Sequence, residues 1–166
     1  YKYAVIHEII PKERNLVEYL DIKKAGNPNA YNRKPFSKTE VKRLWDVKDT
    51  NIYYTVILML IYSGCRIGEL LDLKKENVNL EERYFKIVAS KTEAGIRTAP
   101  IAEKVYPFFE YWYNLNDCEY LLSTPEGEHF KYRNYYDSYW TPLVTPLGME
   151  HRPHDTRHTC ISMLTV

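Results

Sequence analysis

Residues 52–66 of the sequence read IYYTVILMLIYSGCR. The segment Ile52–Tyr62 is apolar on nearly every side of a helical projection, which is typical of a helix buried at the centre of a domain. Gly64 comes just after this apolar run, where helices commonly end in a glycine. We therefore predict a central buried helix over Ile52–Tyr62 and, directly after the glycine, a short helix over Arg66–Leu71.

A helix that precedes the central one has a clear start in the sequence. Ser37 and Glu40 match the capping box, in which each side chain bonds to the backbone N–H of the other residue. Phe36 and Val41 flank this pair at the spacing of a hydrophobic staple. We predict that this helix ends near Val47.

The hydrophobic pattern changes to a period of two within residues 77–101. The predicted strands are Val78–Leu80, Tyr84–Ser90 and Arg97–Ile101. A turn over Lys91–Gly95 joins the last two strands. The pattern therefore predicts a small antiparallel sheet with Lys91 at the tip of a hairpin.

The rest of the chain reads mostly as helix. We predict helices over Ala102–Asn114 and Lys131–Trp140, the second ended by Pro142 and Pro146. The aromatic residues of the second helix recur at helical spacing, and we assign them to the core. A last helix begins near Pro153 or His154. The predicted fold class is mainly α with a small three-stranded antiparallel β-sheet (α+β).

Charge is distributed unevenly along the sequence. The formal net charge of +1 favours no particular partner. Residues 1–100 nevertheless hold 18 Lys and Arg against 13 Asp and Glu, whereas residues 101–150 hold 3 against 8. Segregated positive charge is what a surface for a polyanion needs, although a solvated basic face would give the same counts.

The cysteines and the apolar runs indicate the compartment. Cys65, Cys118 and Cys160 are too widely spaced for a CxxC pair or a disulfide framework, which favours a reducing environment. The longest apolar run, Val56–Tyr62, is far shorter than the roughly 20 residues that span a bilayer. Because no signal peptide is recognisable either, we expect a cytoplasmic protein that makes no membrane contact.

The segment His151–His158 reads HRPHDTRH and concentrates basic groups. His154 and Arg157 are three residues apart, so a helix would project both from one face. An imidazole exchanges protons near neutral pH, and a guanidinium forks onto phosphate oxygens. The spacing of His154 and His158 would also suit a metal, but the glutamate of a zinc-protease helix is absent and no cysteine is adjacent. We therefore expect no metal at this pair.

Arg66 is the second unusual basic residue. A cation at the start of a helix opposes the helix dipole, but it suits a site where an anion binds as well. Glu69 is three residues further on and can hold the guanidinium from one side. Alone, a lysine at a loop tip such as Lys91 is equally consistent with a solvated side chain. Together with His154 and Arg157, these residues predict a phosphate site that needs no metal.

The motifs GCRIGEL at Gly64–Leu70 and HDTRHT at His154–Thr159, with Lys91 between them, resemble the catalytic domain of tyrosine recombinases, the phage-type integrases. The sequence is most similar to integrases of conjugative transposons and Gram-positive phages, from about Ser37 to Val166. The resemblance implies site-specific DNA recombination or integration. Members of the family break and rejoin DNA through a 3′-phosphotyrosyl link, without metal or high-energy cofactor.

The resemblance also implies a role for each matching residue. Arg66 and Arg157 would clamp the scissile phosphate, and Lys91 would protonate the 5′-hydroxyl leaving group. His154 would assist proton transfer at the nucleophile.

Further residues are implied around these four. Glu69 would orient the site, and His158 would support it structurally. We also expect DNA contacts from four residues: Arg33, Lys34, Thr92 and Arg97. The implied partner is double-stranded DNA with recombination sites, on which the full-length parent would form a tetramer.

The resemblance predicts a division of the chain as well. Residues 1–34 are similar to the tail of the family's core-binding domain and its linker, and residues 35–166 to the catalytic domain. In the family the nucleophilic tyrosine lies some tens of residues beyond the HxxR motif, but none of the 16 tyrosines here follows Arg157. We therefore expect a C-terminally truncated catalytic domain that cannot cleave DNA.

Three other functions remain open at this stage. A non-enzymatic DNA-binding relative would use the same arginines without a nucleophile. An interaction module would present the aromatic residues to a partner and would tolerate loss of Arg66 and Arg157. A phosphohydrolase would use His154 as its nucleophile.

Overall fold

The computed structural model describes residues 32–89 and 95–165. Arg33–Val166 form one unit of the chain. The expected domain tail and most of the linker, together with Lys91 and Thr92 of the predicted hairpin tip, lie outside the described residues. Predictions for those positions therefore stay predictions.

Along the described chain, three α-helices come first, three short strands follow, and four more α-helices come after the strands. The α-helices are α1 (Lys38–Val47), α2 (Tyr53–Ser63), α3 (Ile67–Leu71), α4 (Tyr106–Asn114), α5 (Tyr132–Tyr135), α6 (Thr141–Val144) and α7 (Asp155–Leu164). The strands are β1 (Val78–Asn79), β2 (Tyr84–Ile87) and β3 (Arg97–Pro100). Single 3₁₀ turns occupy Lys75–Asn77, Glu103–Val105 and Thr145–Leu147.

Helix α1 begins as the sequence predicts. The backbone N–H of Glu40 donates to Ser37 Oγ at 3.2 Å, and the backbone N–H of Ser37 donates to Glu40 Oε2 at 2.7 Å. This confirms the capping box, which satisfies two backbone donors that a helix start otherwise leaves open.

Helix α2 is the centre of the fold. Every side chain from Val56 to Ile61 is fully buried, and helices α1, α4 and α7 pack against it. The helix ends at Gly64, whose φ of 64° lies in the left-handed region and whose N–H donates to the Leu60 carbonyl. The predicted buried helix and its glycine end are both confirmed.

The sheet has the order β1-β2-β3 with antiparallel pairing, as predicted. Phe85 pairs with Ala99 and Ile87 pairs with Arg97. Phe85 and Ile87 are buried, and the Phe85 ring stacks on Phe109 with the centroids 5.4 Å apart. The strands are shorter than predicted, because pairing stops at the Ile87–Arg97 pair and the next residue, Val88, is exposed.

The helix predicted to end at Pro142 continues past it, so that prediction is wrong. A π-helical segment, Tyr136–Trp140, follows α5 and leads into α6, which carries Pro142 in its first turn. Proline has no N–H to donate, and its ring would collide with the carbonyl of Ser138 in a regular α-helix. The wider π turn accommodates this mismatch, so the chain stays helical to Val144.

The aromatic residues of this helical region lie mainly in the core. Tyr135 and Trp140 are buried, and the Phe130 ring meets the Tyr135 ring edge-on at 5.5 Å. Tyr132 is half exposed. The assignment of this stripe to the core is therefore confirmed for its buried members.

Helix α7 starts at Asp155, and His154 is its N-cap residue, within two residues of the predicted start. Among the described residues, no helix combines the length and apolarity that crossing a bilayer requires. The predicted class, mainly α with a three-stranded antiparallel sheet, is confirmed.

Candidate functional site

The turn between α2 and α3 holds Arg66 in a defined orientation. Arg66 is the N-cap residue of α3 and has extended backbone, so its side chain leaves the helix start towards the surface. Its backbone N–H donates to Glu69 Oε2 at 2.9 Å, and its Nη1 donates to Glu69 Oε1 at 2.9 Å. The side chain of Arg66 remains 40% exposed, whereas that of Glu69 is 4% exposed. Glu69 therefore fixes one edge of the guanidinium and leaves the rest accessible.

Arg97 grips the same carboxylate from the sheet. Its Nη2 donates to Glu69 Oε2 at 3.0 Å and its Nη1 to Glu69 Oε1 at 3.3 Å. Burial alone would raise the pKa of Glu69, but hydrogen bonds from Arg97 and from the backbone and side chain of Arg66 outweigh it and lower the pKa to about 2. Glu69 is therefore ionised across the physiological range and bridges two guanidiniums.

Arg157 reaches the same turn from α7. Its Nη1 donates to the carbonyl of Gly64 at 2.8 Å, across 93 residues of sequence. A Cβ at Gly64 would lie 3.0 Å from the Sγ of Cys160, which is a tight contact, so the glycine gives α7 room to pack closely against this turn. Arg66 and Arg157 are thus anchored on one three-residue turn.

His154 lies in the field of both arginines. Burial lowers its pKa below the usual 6.5, and the nearby positive charges of Arg33, His158, Arg157 and Arg66 lower it further. The neutral imidazole, which can accept a proton, is therefore the main form near pH 7.

His158 packs beside His154, with the rings in an edge-to-face arrangement 5.2 Å apart. Its Nε2 is buried and has no hydrogen-bond partner within the described part of the chain. His158 is half-buried and contacts the histidine of the site through its ring.

A second histidine, His151, ties the start of α7 to α1. Its Nδ1 lies 3.3 Å from Asp155 Oδ2 and its Nε2 lies 3.2 Å from Glu40 Oε1. The ring stacks on Phe36 at 3.9 Å, and the backbone N–H of Arg152 donates to the same oxygen of Asp155 at 2.9 Å. The sequence around His151 predicts no role for this residue. The capping box gave Glu40 one partner, and nothing local signalled a second one 111 residues away.

The structure brings Arg66, Glu69, Arg97, His154 and Arg157 into one connected region. Two of the other expected DNA contacts, Arg33 and Lys34, are exposed. The positive charge of Arg33 is also close enough to lower the pKa of His154. Among the described residues, no group of three or more His, Cys, Asp or Glu side chains is placed to hold a metal ion.

Sequence comparisons place this region in a known context. The model of the phage integrase family matches residues 34–165. Transposase A from transposon Tn554 of Staphylococcus aureus is 26% identical over 142 residues, which are 75% of this chain and 39% of the transposase. The chain therefore spans well under half the length of the curated relatives it matches.

Solved structures share the fold. The Tn1549 transposon integrase in complex with circular intermediate DNA superposes with a TM-score of 0.73 and 19% identity over 98% of this chain and 63% of that one. XerA recombinase gives a TM-score of 0.68 with 23% identity over 84% of this chain and 51% of that one. A lambda integrase tetramer bound to a Holliday junction gives 0.67 with 13% identity over 96% and 48%.

Proposed function

Because the chain belongs to the phage integrase family, the tyrosine recombinases, we propose that it binds double-stranded DNA and holds a phosphodiester between Arg66 and Arg157 for recombination. The observation that carries this proposal is the anchoring of both arginines on the Gly64–Arg66 turn. Within the described part of the chain, each of these guanidiniums uses only Nη1 in a hydrogen bond to protein. Their remaining N–H groups can fork onto the non-bridging oxygens of a phosphate.

The reaction we propose is a transesterification. A tyrosine hydroxyl attacks phosphorus, a 3′-phosphotyrosyl bond forms, and the bond from phosphorus to the 5′-oxygen breaks. Arg66 and Arg157 stabilise the charge that builds up on the phosphoryl oxygens. Lys91 protonates the departing 5′-oxygen, and His154, neutral near pH 7, accepts the proton of the tyrosine hydroxyl. Rejoining is the reverse of these steps, so the bond energy is conserved and no cofactor is consumed.

Other residues would act around this centre. Glu69 orients Arg66, and His158 supports His154 by packing against it. Arg33, Lys34 and Thr92 are proposed to contact DNA outside the scissile phosphate. The intact protein is proposed to work as a tetramer on paired recombination sites in the bacterial cytoplasm, where its DNA would be found.

DNA binding by the 166-residue chain tests the phosphate clamp. We expect Arg66→Ala and Arg157→Ala each to weaken binding to a short duplex by about tenfold and to reduce the slope of log K against log salt by about one. The measurement is fluorescence anisotropy across a salt series. Arg133→Ala is the matched control, because Arg133 is an exposed arginine of the acidic segment paired with Asp137. An unchanged affinity and slope in both clamp variants would contradict the proposal.

A suicide-substrate assay tests the chemistry. No tyrosine of this sequence follows Arg157, so we expect the 166-residue chain to form no covalent adduct with a nicked duplex of the cognate site. The intact gene product should form one, and Arg157→Ala should abolish it. The readout is a band shift that survives denaturing electrophoresis. An adduct formed by the chain alone would refute the first expectation. DNA binding by an intact product that never forms an adduct would instead favour a non-enzymatic relative.

A further inference from the structure

Arg97 occupies a position between the sheet and the arginine turn. It is the first residue of β3, and its guanidinium spans the space from that strand to the start of α3. Two nitrogens of Arg97 contact the two oxygens of Glu69, and the same oxygens accept from the side chain and backbone of Arg66. The carboxylate is thus the common acceptor of a chain of contacts that runs Arg97–Glu69–Arg66.

We infer that Arg97 is a positioning residue: through Glu69 it sets the orientation of Arg66 and fixes the base of the hairpin that carries Lys91, without itself contacting the phosphate. This inference rests on the proposed function. It assigns Arg97 a different role from the DNA contact that the sequence suggested.

The hydrogen bonds of Arg97 are the first argument. Its Nη1 donates to Glu69 Oε1 and also to the carbonyl of Gly95 at 2.9 Å. Its Nη2 donates to Glu69 Oε2 and lies 3.8 Å from the Sγ of Cys65. The side chain is 29% exposed, against 40% for Arg66. Arg97 therefore directs both terminal nitrogens into the protein, whereas Arg66 commits one.

Strand register supplies the second argument. Ile87 on β2 pairs with Arg97 on β3, and this is the last pair before the hairpin. The segment that contains Lys91 thus leaves the sheet at Ile87 and returns at Arg97. Fixing Arg97 to Glu69 holds both ends of that segment beside the turn that carries Arg66. One side chain therefore links the Ile87–Arg97 pair, between which Lys91 lies in the sequence, to one half of the phosphate clamp.

Charge balance is the third argument. Glu69 is almost fully buried, and an ionised carboxylate in such a place needs paired, hydrogen-bonded cations. The bond to Glu69 raises the pKa of Arg97 in turn. A lysine at position 97 would keep the charge but lose the planar fork that meets both oxygens of Glu69. Arg97→Lys is therefore the variant that separates geometry from charge.

The test is a double-mutant cycle on duplex DNA affinity, measured across a salt series with the 166-residue chain. We expect Arg97→Gln and Arg97→Lys each to weaken binding by up to about tenfold, because Arg66 loses its orientation. In an Arg66→Ala background the same changes at Arg97 should have almost no further effect. Arg133→Gln is the matched control, since Arg133 also bonds a carboxylate, and it should change nothing.

Two results would overturn the inference in different ways. The first is that the losses of DNA affinity from changes at Arg97 and at Arg66 are additive, that Arg97→Lys keeps wild-type affinity, and that Arg97→Gln lowers the salt slope by about one. This combination would identify Arg97 as a direct phosphate contact. If Arg66→Ala itself leaves DNA affinity unchanged, the proposed function fails and the inference falls with it. Glu69→Gln weakens the contact between Arg97 and Glu69 by changing the carboxylate instead of the arginine. It serves as the test variant if Arg97→Gln does not fold. If the inference holds, Glu69→Gln also has almost no further effect on DNA affinity in the Arg66→Ala background.

Discussion

The Glu69 carboxylate is the negative charge that both Arg66 and Arg97 contact in the site. It is nearly inaccessible to solvent and accepts hydrogen bonds from Arg66 and Arg97. Its pKa falls from the usual 4.5 to about 2, because these bonds favour the ionised form more than burial disfavours it. A buried carboxylate with a pKa this low links protonation directly to folding.

This linkage predicts how stability depends on pH. The pKa of Glu69 is lower in the folded chain than in the unfolded chain, so its contribution is fully present above about 4.5 and is lost as the pH falls towards about 2. We expect the wild-type free energy of unfolding to fall more steeply over this interval than that of Glu69→Gln, which has no proton to gain. Denaturant unfolding at several pH values measures the difference. Parallel curves for the two proteins would contradict the prediction.

Elements whose ends are defined by local chemistry were predictable from sequence. The capping box of Ser37 and Glu40 and the left-handed Gly64 are short-range features, and α1 and α2 begin and end within a residue or two of the predicted positions. Pro142 misled the prediction, because a π segment lets the helix continue through a residue that normally ends it. No local sequence pattern signals this π segment, whose last residue, Trp140, is buried.

The same distinction applies to the candidate site. Arg66 and Glu69 are three residues apart, so helical spacing was enough to pair them. The fork of Arg97 onto Glu69 spans 28 residues, and the bond from Arg157 to Gly64 spans 93. The family resemblance predicted that Arg157 and Arg66 act together. Arg97 was instead predicted to contact DNA, because no sequence pattern indicates that its partner is Glu69.

At the scale of the whole molecule, His151 joins the two ends of the described chain. It contacts Glu40 in the first turn of α1 and Asp155 in the first turn of α7. Both ring nitrogens lie within hydrogen-bond distance of carboxylate oxygens. The turn of chain that presents His154 and Arg157 is therefore held by a residue outside the proposed chemistry. The stability of the fold and the geometry of the site should depend on the same contact.

A double-mutant cycle on stability tests this link. We expect His151→Ala to lower the free energy of unfolding by about 1–3 kcal/mol, because it removes hydrogen bonds to the half-buried Glu40 and the buried Asp155 and the stack on Phe36. Glu40→Ala removes the same contact from α1, so the two changes should be coupled by about 0.5 kcal/mol or more. Lys48→Ala provides a comparison, since its ion pair with Asp49 joins neighbouring residues at the surface and should contribute about 0–1 kcal/mol. Strict additivity of His151→Ala and Glu40→Ala would show that α1 and α7 are held together without this bond, because a shared contact can be lost only once.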